Sequence, residues 1–74
     1  MPEAARVEAP ALPARVLEVL PSALFRVELA SAGRPQATVH LGPEAGLLRV
    51  RPGDAVLVRL SPVDPGRGRI VGLP

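Results

Sequence analysis

The chain of 74 residues contains no cysteine, lysine, asparagine, tyrosine or tryptophan, and Phe25 is its one large aromatic residue. Without cysteine there is neither a disulfide scaffold nor a thiolate zinc site, and the single histidine, His40, is too little for a transition-metal centre, so no cofactor or metal is expected. Without tyrosine or tryptophan there is no stacking platform of the kind that contributes about 1–3 kcal/mol per base in single-strand binders. Unstructured single strands are therefore poor candidate ligands. No stretch approaches the roughly 20 consecutive apolar residues of a membrane span. Residues 1–13 carry Glu3, Arg6 and Glu8 among prolines where a secretory leader would have an apolar run. The expectation is a cytoplasmic protein with no membrane partner.

What is present is a single small domain's worth of valine, leucine and alanine. A domain near this size buries only about 60% of its unfolded surface, so the core must be one cluster. The nine cationic residues are all arginine and the net charge is only +2. Its distribution is uneven. Residues 1–13 hold Arg6 against Glu3 and Glu8; residues 14–48 hold Arg15, Arg26 and Arg34 against Glu18, Glu28 and Glu44; and residues 49–74 hold five arginines against Asp54 and Asp64. The positive excess sits in the last third. The lack of lysine and asparagine beside abundant alanine, glycine, proline and arginine is the imprint of a GC-rich coding sequence, and it bears on the genome more than on mechanism.

Residues 1–13 contain three prolines and no apolar period, which predicts a flexible N-terminal tail ahead of a domain over residues 14–74. Beyond the tail, short alternating apolar runs separated by turn residues predict an all-β fold, with strands over 15–20, 24–30, 36–41, 55–60 and 69–72. Side chains reverse face at each strand residue. Phe25, Val27 and Leu29 therefore face inward with Arg26 and Glu28 outward; Ala37, Val39 and Leu41 inward with Thr38 and His40 outward; and Val56, Val58 and Leu60 inward with Arg59 outward. Pro21-Ser22-Ala23 reads as a hairpin, as does the stretch around Gly33. Arg51-Pro52-Gly53-Asp54 reads as a type II turn, and residues 63–68 as a second glycine-rich reversal. Within the longest gap, Glu44-Ala45-Gly46-Leu47-Leu48 has room for one helical turn, with Leu47 and Leu48 exposed. Three hairpin-linked strands, a connector with a helical turn and two more strands make a five-stranded OB-type Greek-key barrel; an SH3-like barrel lacks that connector.

Several stretches in this order resemble the bacterial translation initiation factor one family. They are Val19-Leu20-Pro21-Ser22-Ala23-Leu24-Phe25-Arg26-Val27-Glu28-Leu29, Val39-His40-Leu41-Gly42, Arg49-Val50-Arg51-Pro52-Gly53-Asp54, Ser61-Pro62-Val63-Asp64 and Gly68-Arg69-Ile70-Val71. The resemblance spans residues 14–71. It implies a non-catalytic protein that docks on the rRNA and proteins of the small ribosomal subunit at the aminoacyl site, beside the other initiation factors; separately, a monomer is expected. It also implies exposed basic or histidine positions at Arg26, His40, Arg49, Arg67 and Arg69. The chain departs from the family where the connector after His40, Gly42-Pro43-Glu44-Ala45-Gly46-Leu47-Leu48, is short and acidic in place of a longer basic segment with a tyrosine. Val63 also stands where a tyrosine is usual, and the basic tail is reduced to Leu73-Pro74. These departures suit a divergent paralogue.

The candidate RNA-binding set is therefore Arg26, His40, Arg49, Arg51, Arg67 and Arg69. Recognition would rest on the planar guanidinium meeting phosphate bidentately. Catalysis has little to build on: one histidine, generic hydroxyls at Ser22, Ser31, Ser61 and Thr38, and aspartates placed in turns, where they bond their own backbone. Two other readings compete with ribosome binding. One is an RNA chaperone of the cold-shock type, weakened by the missing aromatic stripe, and the other is a protein-interaction barrel that has lost RNA binding.

Overall fold

The computed structural model describes residues 10–74. Of the expected N-terminal tail, residues 1–9 lie outside the described residues, whereas Leu12 and Pro13 belong to strand β1 (Leu12–Leu20). Proline is tolerated near the start of a strand, where its missing donor leaves little unpaired, and Pro13 still accepts a hydrogen bond from the Ala30 N–H at 3.0 Å. Strand β2 (Leu24–Leu29), β3 (Gln36–Leu41), β4 (Ala55–Leu60) and β5 (Arg67–Gly72) follow. Apart from the early starts of β1 and β5 and the end of β2 at Leu29, one residue before the expected limit, these are the strands expected from alternation.

The strands close into a barrel in the order β1-β2-β3-β5-β4, with β4 returning to β1. That order, with β3 and β5 parallel and the other neighbours antiparallel, is the OB-type Greek key. The length of β1 lets it serve two partners: Leu12 to Arg15 pair with β4, and Ala14 to Leu20 pair with β2. Its pairing with β2 is interrupted by a register shift between Val16 and Glu18, the mark of a β-bulge.

Inside the barrel, Ala14, Val16, Val27, Leu29, Ala37, Val39, Val56, Val58 and Ile70 form the buried cluster. Each valine-sized side chain removed from water contributes about 1.5–3 kcal/mol, so β-branched residues stand in for the missing aromatics. Phe25, Leu41, Leu48, Val50 and Leu60 pack around the cluster. Leu48, expected on the surface, is thus drawn against the core, while Leu47 is 99% exposed.

The helical turn between β3 and β4 is a 3₁₀ turn at Pro43–Ala45, slightly earlier than the expected Glu44 to Leu48. Pro43 presets the first helical φ, and the turn ends as the Gly46 N–H donates to the Pro43 carbonyl at 3.3 Å. The type II turn at Arg51 to Asp54 forms as expected. Gly53 has φ +93°, the Asp54 N–H donates to the Arg51 carbonyl at 3.1 Å, and Asp54 Oδ2 accepts from the Arg51 N–H at 3.0 Å. This turn is anchored on β1, because the Gly53 N–H donates to the Val16 carbonyl at 2.8 Å and Asp54 returns a carbonyl to the Val16 N–H at 2.9 Å.

Two backbone features yield predictions. In the β1–β2 hairpin Ser22 and Ala23 both hold positive φ, 65° and 60°, without a glycine. A left-handed L-residue costs about 1–2 kcal/mol, so Ala23→Gly is expected to raise stability by roughly 1 kcal/mol once the entropy lost by glycine is subtracted; urea denaturation with an unchanged m-value checks this. Between β4 and β5, a Cβ on Gly68 would collide with the Arg59 carbonyl and come within 2.9 Å of Leu60 Cα. Gly68→Ala should therefore destabilise the barrel by about 1–3 kcal/mol through overpacking, read as a lower thermal midpoint.

Candidate nucleic-acid interface

The outward residues of the barrel wall fall into two rows set by strand register. In the first, Glu18 of β1 lies opposite Arg26 of β2, Arg26 opposite Thr38 of β3, and Thr38 opposite Arg67 of β5. In the second, Leu24 lies opposite His40, His40 opposite Arg69, and Arg69 opposite Arg59 of β4. Neighbouring strands lie about 4.8 Å apart, so four guanidinium-bearing positions and the imidazole share one continuous face. A groove of about 320 Å³ opens on it, lined by Leu24, Thr38, His40, Arg59 and Arg69 and by Ser61, Asp64 and Arg67 from the β4–β5 loop and the start of β5. A second depression of about 270 Å³ adjoins it at Thr38 and takes in Arg26, Gln36 and Gly66. This is the wall and loop that OB barrels use for oligonucleotides.

The β4–β5 loop is held in shape by its own polar residues. Ser61 Oγ accepts from the N–H groups of Val63 and Asp64, each at 3.3 Å, and Asp64 Oδ1 accepts from the Gly66 N–H at 3.1 Å. The Gly66 carbonyl in turn accepts from the Thr38 N–H at 2.9 Å, tying the loop to β3. Asp54 and Asp64 are thus backbone-bonding turn residues, as their positions indicate.

The charges on the face are largely compensated within the protein. Arg26 Nε lies 3.4 Å from Glu18 Oε2, and Arg67 Nε lies 3.6 Å from Asp64 Oδ2. These are loose, exposed contacts of a class worth about 0–1 kcal/mol, readily exchanged for another anion. Arg69 is held differently. Its Nε donates to both carboxylate oxygens of Glu44, at 3.1 and 2.8 Å, and its Nη2 lies 2.7 Å from Oε2. The hydrogen bonds from Arg69 and from the Glu44 backbone amide, helped by the positive fields of Arg69 and Arg59, hold the Glu44 carboxyl below the usual glutamate range despite the opposing effect of desolvation.

Of the sequence-derived candidates, His40, Arg67 and Arg69 meet in the groove and Arg26 lies at its margin. Arg49 and Arg51 do not join them. Both are exposed in the connector leading to β4, Arg51 in the turn docked on β1, where Arg15 Nη1 also donates to the Gly53 carbonyl at 2.7 Å. Alternation points Arg59 outward without marking it as a site residue; its pairing with Arg69 across β4 and β5 brings it into the groove. In the sequence Glu44 stands out as an acid in the connector, but its reach to Arg69 across 25 residues has no sequence signal.

Because pairing lowers the Glu44 pKa, the stabilising contribution of the pair is present above the unfolded-state pKa of the group and is lost as pH falls through the lower folded value. A carboxyl-detected NMR titration should place the Glu44 midpoint below that of an ordinary glutamate, and Arg69→Ala should move it upward. No family model matches the chain.

Proposed function

We propose that this barrel is a non-catalytic, cytoplasmic RNA-binding protein of the initiation factor one type, which docks on rRNA of the small ribosomal subunit near the aminoacyl site. The observation that carries this reading is the pair of cross-strand rows that gathers Arg26, Arg59, Arg67, Arg69 and His40 on the outer wall formed by β2, β3, β5 and β4. The groove between them supplies guanidinium groups for phosphates, an imidazole and the Thr38 hydroxyl for sugar or base edges, and Leu24 as an apolar floor. The ordered sequence resemblance over residues 14–71 points to the ribosome as the source of that RNA. Structured RNA suits this face better than a flexible strand, because the fold pre-sets the arginine spacing and offers no aromatic stack.

Cosedimentation with purified small subunits tests the proposal. The protein should pellet with subunits at low salt and be released as salt rises, with log K falling by roughly 0.9 per duplex phosphate contacted. Replacing Arg26 and Arg67 together by alanine should weaken binding and flatten that slope by roughly 0.9 per arginine removed. A protein that stays in the supernatant at low salt, or a double variant that binds as well as the parent, overturns the reading. The competing protein-interaction module draws on the compensated charges of the face and on Leu47, 99% exposed in the connector. Subunit binding indifferent to salt and abolished by Leu47→Ser would favour it.

A further inference from the structure

Glu44 has a geometry distinct from the other carboxylates facing the candidate site. Its side chain meets the Nε and Nη2 edge of Arg69 with both oxygens, at 2.7–3.1 Å, whereas Glu18 and Asp64 touch their arginines singly at 3.4 and 3.6 Å. The edge of a guanidinium that accepts a carboxylate in this forked arrangement is the edge that accepts a phosphate.

The surroundings are built for the contact. Pro43 opens the 3₁₀ turn one residue past the end of β3, and the turn brings Glu44 against Arg69 of β5. Gly42, buried and hydrogen-bonded through its N–H to the Ile70 carbonyl at 2.9 Å, leaves the space that the pair fills. A Cβ at that position would lie 2.6 Å from Glu44 Oε1 and 2.9 Å from Arg69 Cδ. The pair is also partly shielded, with the Arg69 side chain 34% exposed against 69% for Arg67.

We infer that Glu44 is an internal competitor for the phosphate backbone, occupying the Arg69 fork in the free protein so that only an RNA placing a phosphate squarely at Arg69 displaces it. This inference rests on the RNA-binding reading of the groove and adds a specificity-determining residue to it. Its effect is to lower affinity for polyanions in general while leaving Arg67 and Arg26, whose acids are loosely held, open to first contact. Discrimination of this kind works by penalising the wrong ligand as much as by favouring the right one.

The test uses fluorescence anisotropy of a short labelled RNA hairpin with the full chain across a salt series. Glu44→Gln, which keeps the shape and removes the charge, should tighten binding by roughly threefold to tenfold and steepen the log–log salt slope by about 0.9, the mark of one further phosphate contact. The gain should vanish in the double variant Glu44→Gln with Arg69→Gln. A purely structural clamp predicts instead a lower thermal midpoint and no gain. Glu44→Asp, which shortens the reach but keeps the charge, supplies a second variant and should show a smaller gain of the same sign. No tightening in Glu44→Gln, including the case in which neither protein binds, overturns the inference, as does a gain that persists without Arg69. The ribosomal reading is judged separately by sedimentation of the parent protein. A hairpin gain in Glu44→Gln with no subunit binding by the parent sinks that reading alone, and subunit binding with no hairpin gain sinks the competitor alone.

Discussion

The parallel ladder between β3 and β5 is the contact on which the candidate site depends. Hairpins bring β1 to β2 and β2 to β3 by local chain reversal, and they place Arg26 beside Thr38 without further help. Setting His40 opposite Arg69 and Thr38 opposite Arg67 requires residues from the two halves of the chain to pair in one register. A parallel pairing cannot be made by a tight turn and needs an intervening crossover. Here the connector, β4 and the β4–β5 loop provide it, and Gly68 lets β5 approach β4 closely enough for the ring to shut. A one-residue slip in that ladder would turn the arginines into the core and Ile70 out to solvent.

Closure also governs the electrostatics. The five arginines of the last third form no single patch: Arg59, Arg67 and Arg69 enter the face, while Arg49 and Arg51 remain in the connector and its turn. On the face, acids from three separate elements answer the bases, Glu18 from β1, Glu44 from the 3₁₀ turn and Asp64 from the β4–β5 loop. The result is a surface rich in arginine whose field is modest, because each of these acids lies against one of its arginines. Weak pairs yield easily to a competing phosphate and a forked pair resists, so the three ion pairs grade the arginines by accessibility in a way that net charge does not express.

The wall of the barrel was legible from alternation alone. Val27, Val39, Val56 and Val58 are buried where the two-residue period places them, and Thr38, His40 and Arg59 face away from the core. Turn chemistry was equally local, as the positive φ of Gly53 and the backbone-bonding carboxylates of Asp54 and Asp64 show. Strand ends were less clear. Proline content marks Pro13 as the limit of a tail, yet it joins β1, because a proline that faces solvent removes only one donor from the ladder. Nothing in the sequence separates Leu48 from its exposed neighbour Leu47, yet the connector runs close enough to the barrel for Leu48 to pack on the core.

By itself the sequence determined the element types, the inward and outward faces of β2, β3 and β4 and the turns between the strands, because alternation and turn preference act over a few adjacent residues. Only the tertiary structure decided which outward residues became neighbours: that Arg59 joined His40, Arg67 and Arg69, that Arg49 and Arg51 did not, and that Glu44 closed on Arg69. Those outcomes follow from the register of strands far apart in the chain and from the path of a connector past a sheet end, and no short-range period in a sequence carries that information.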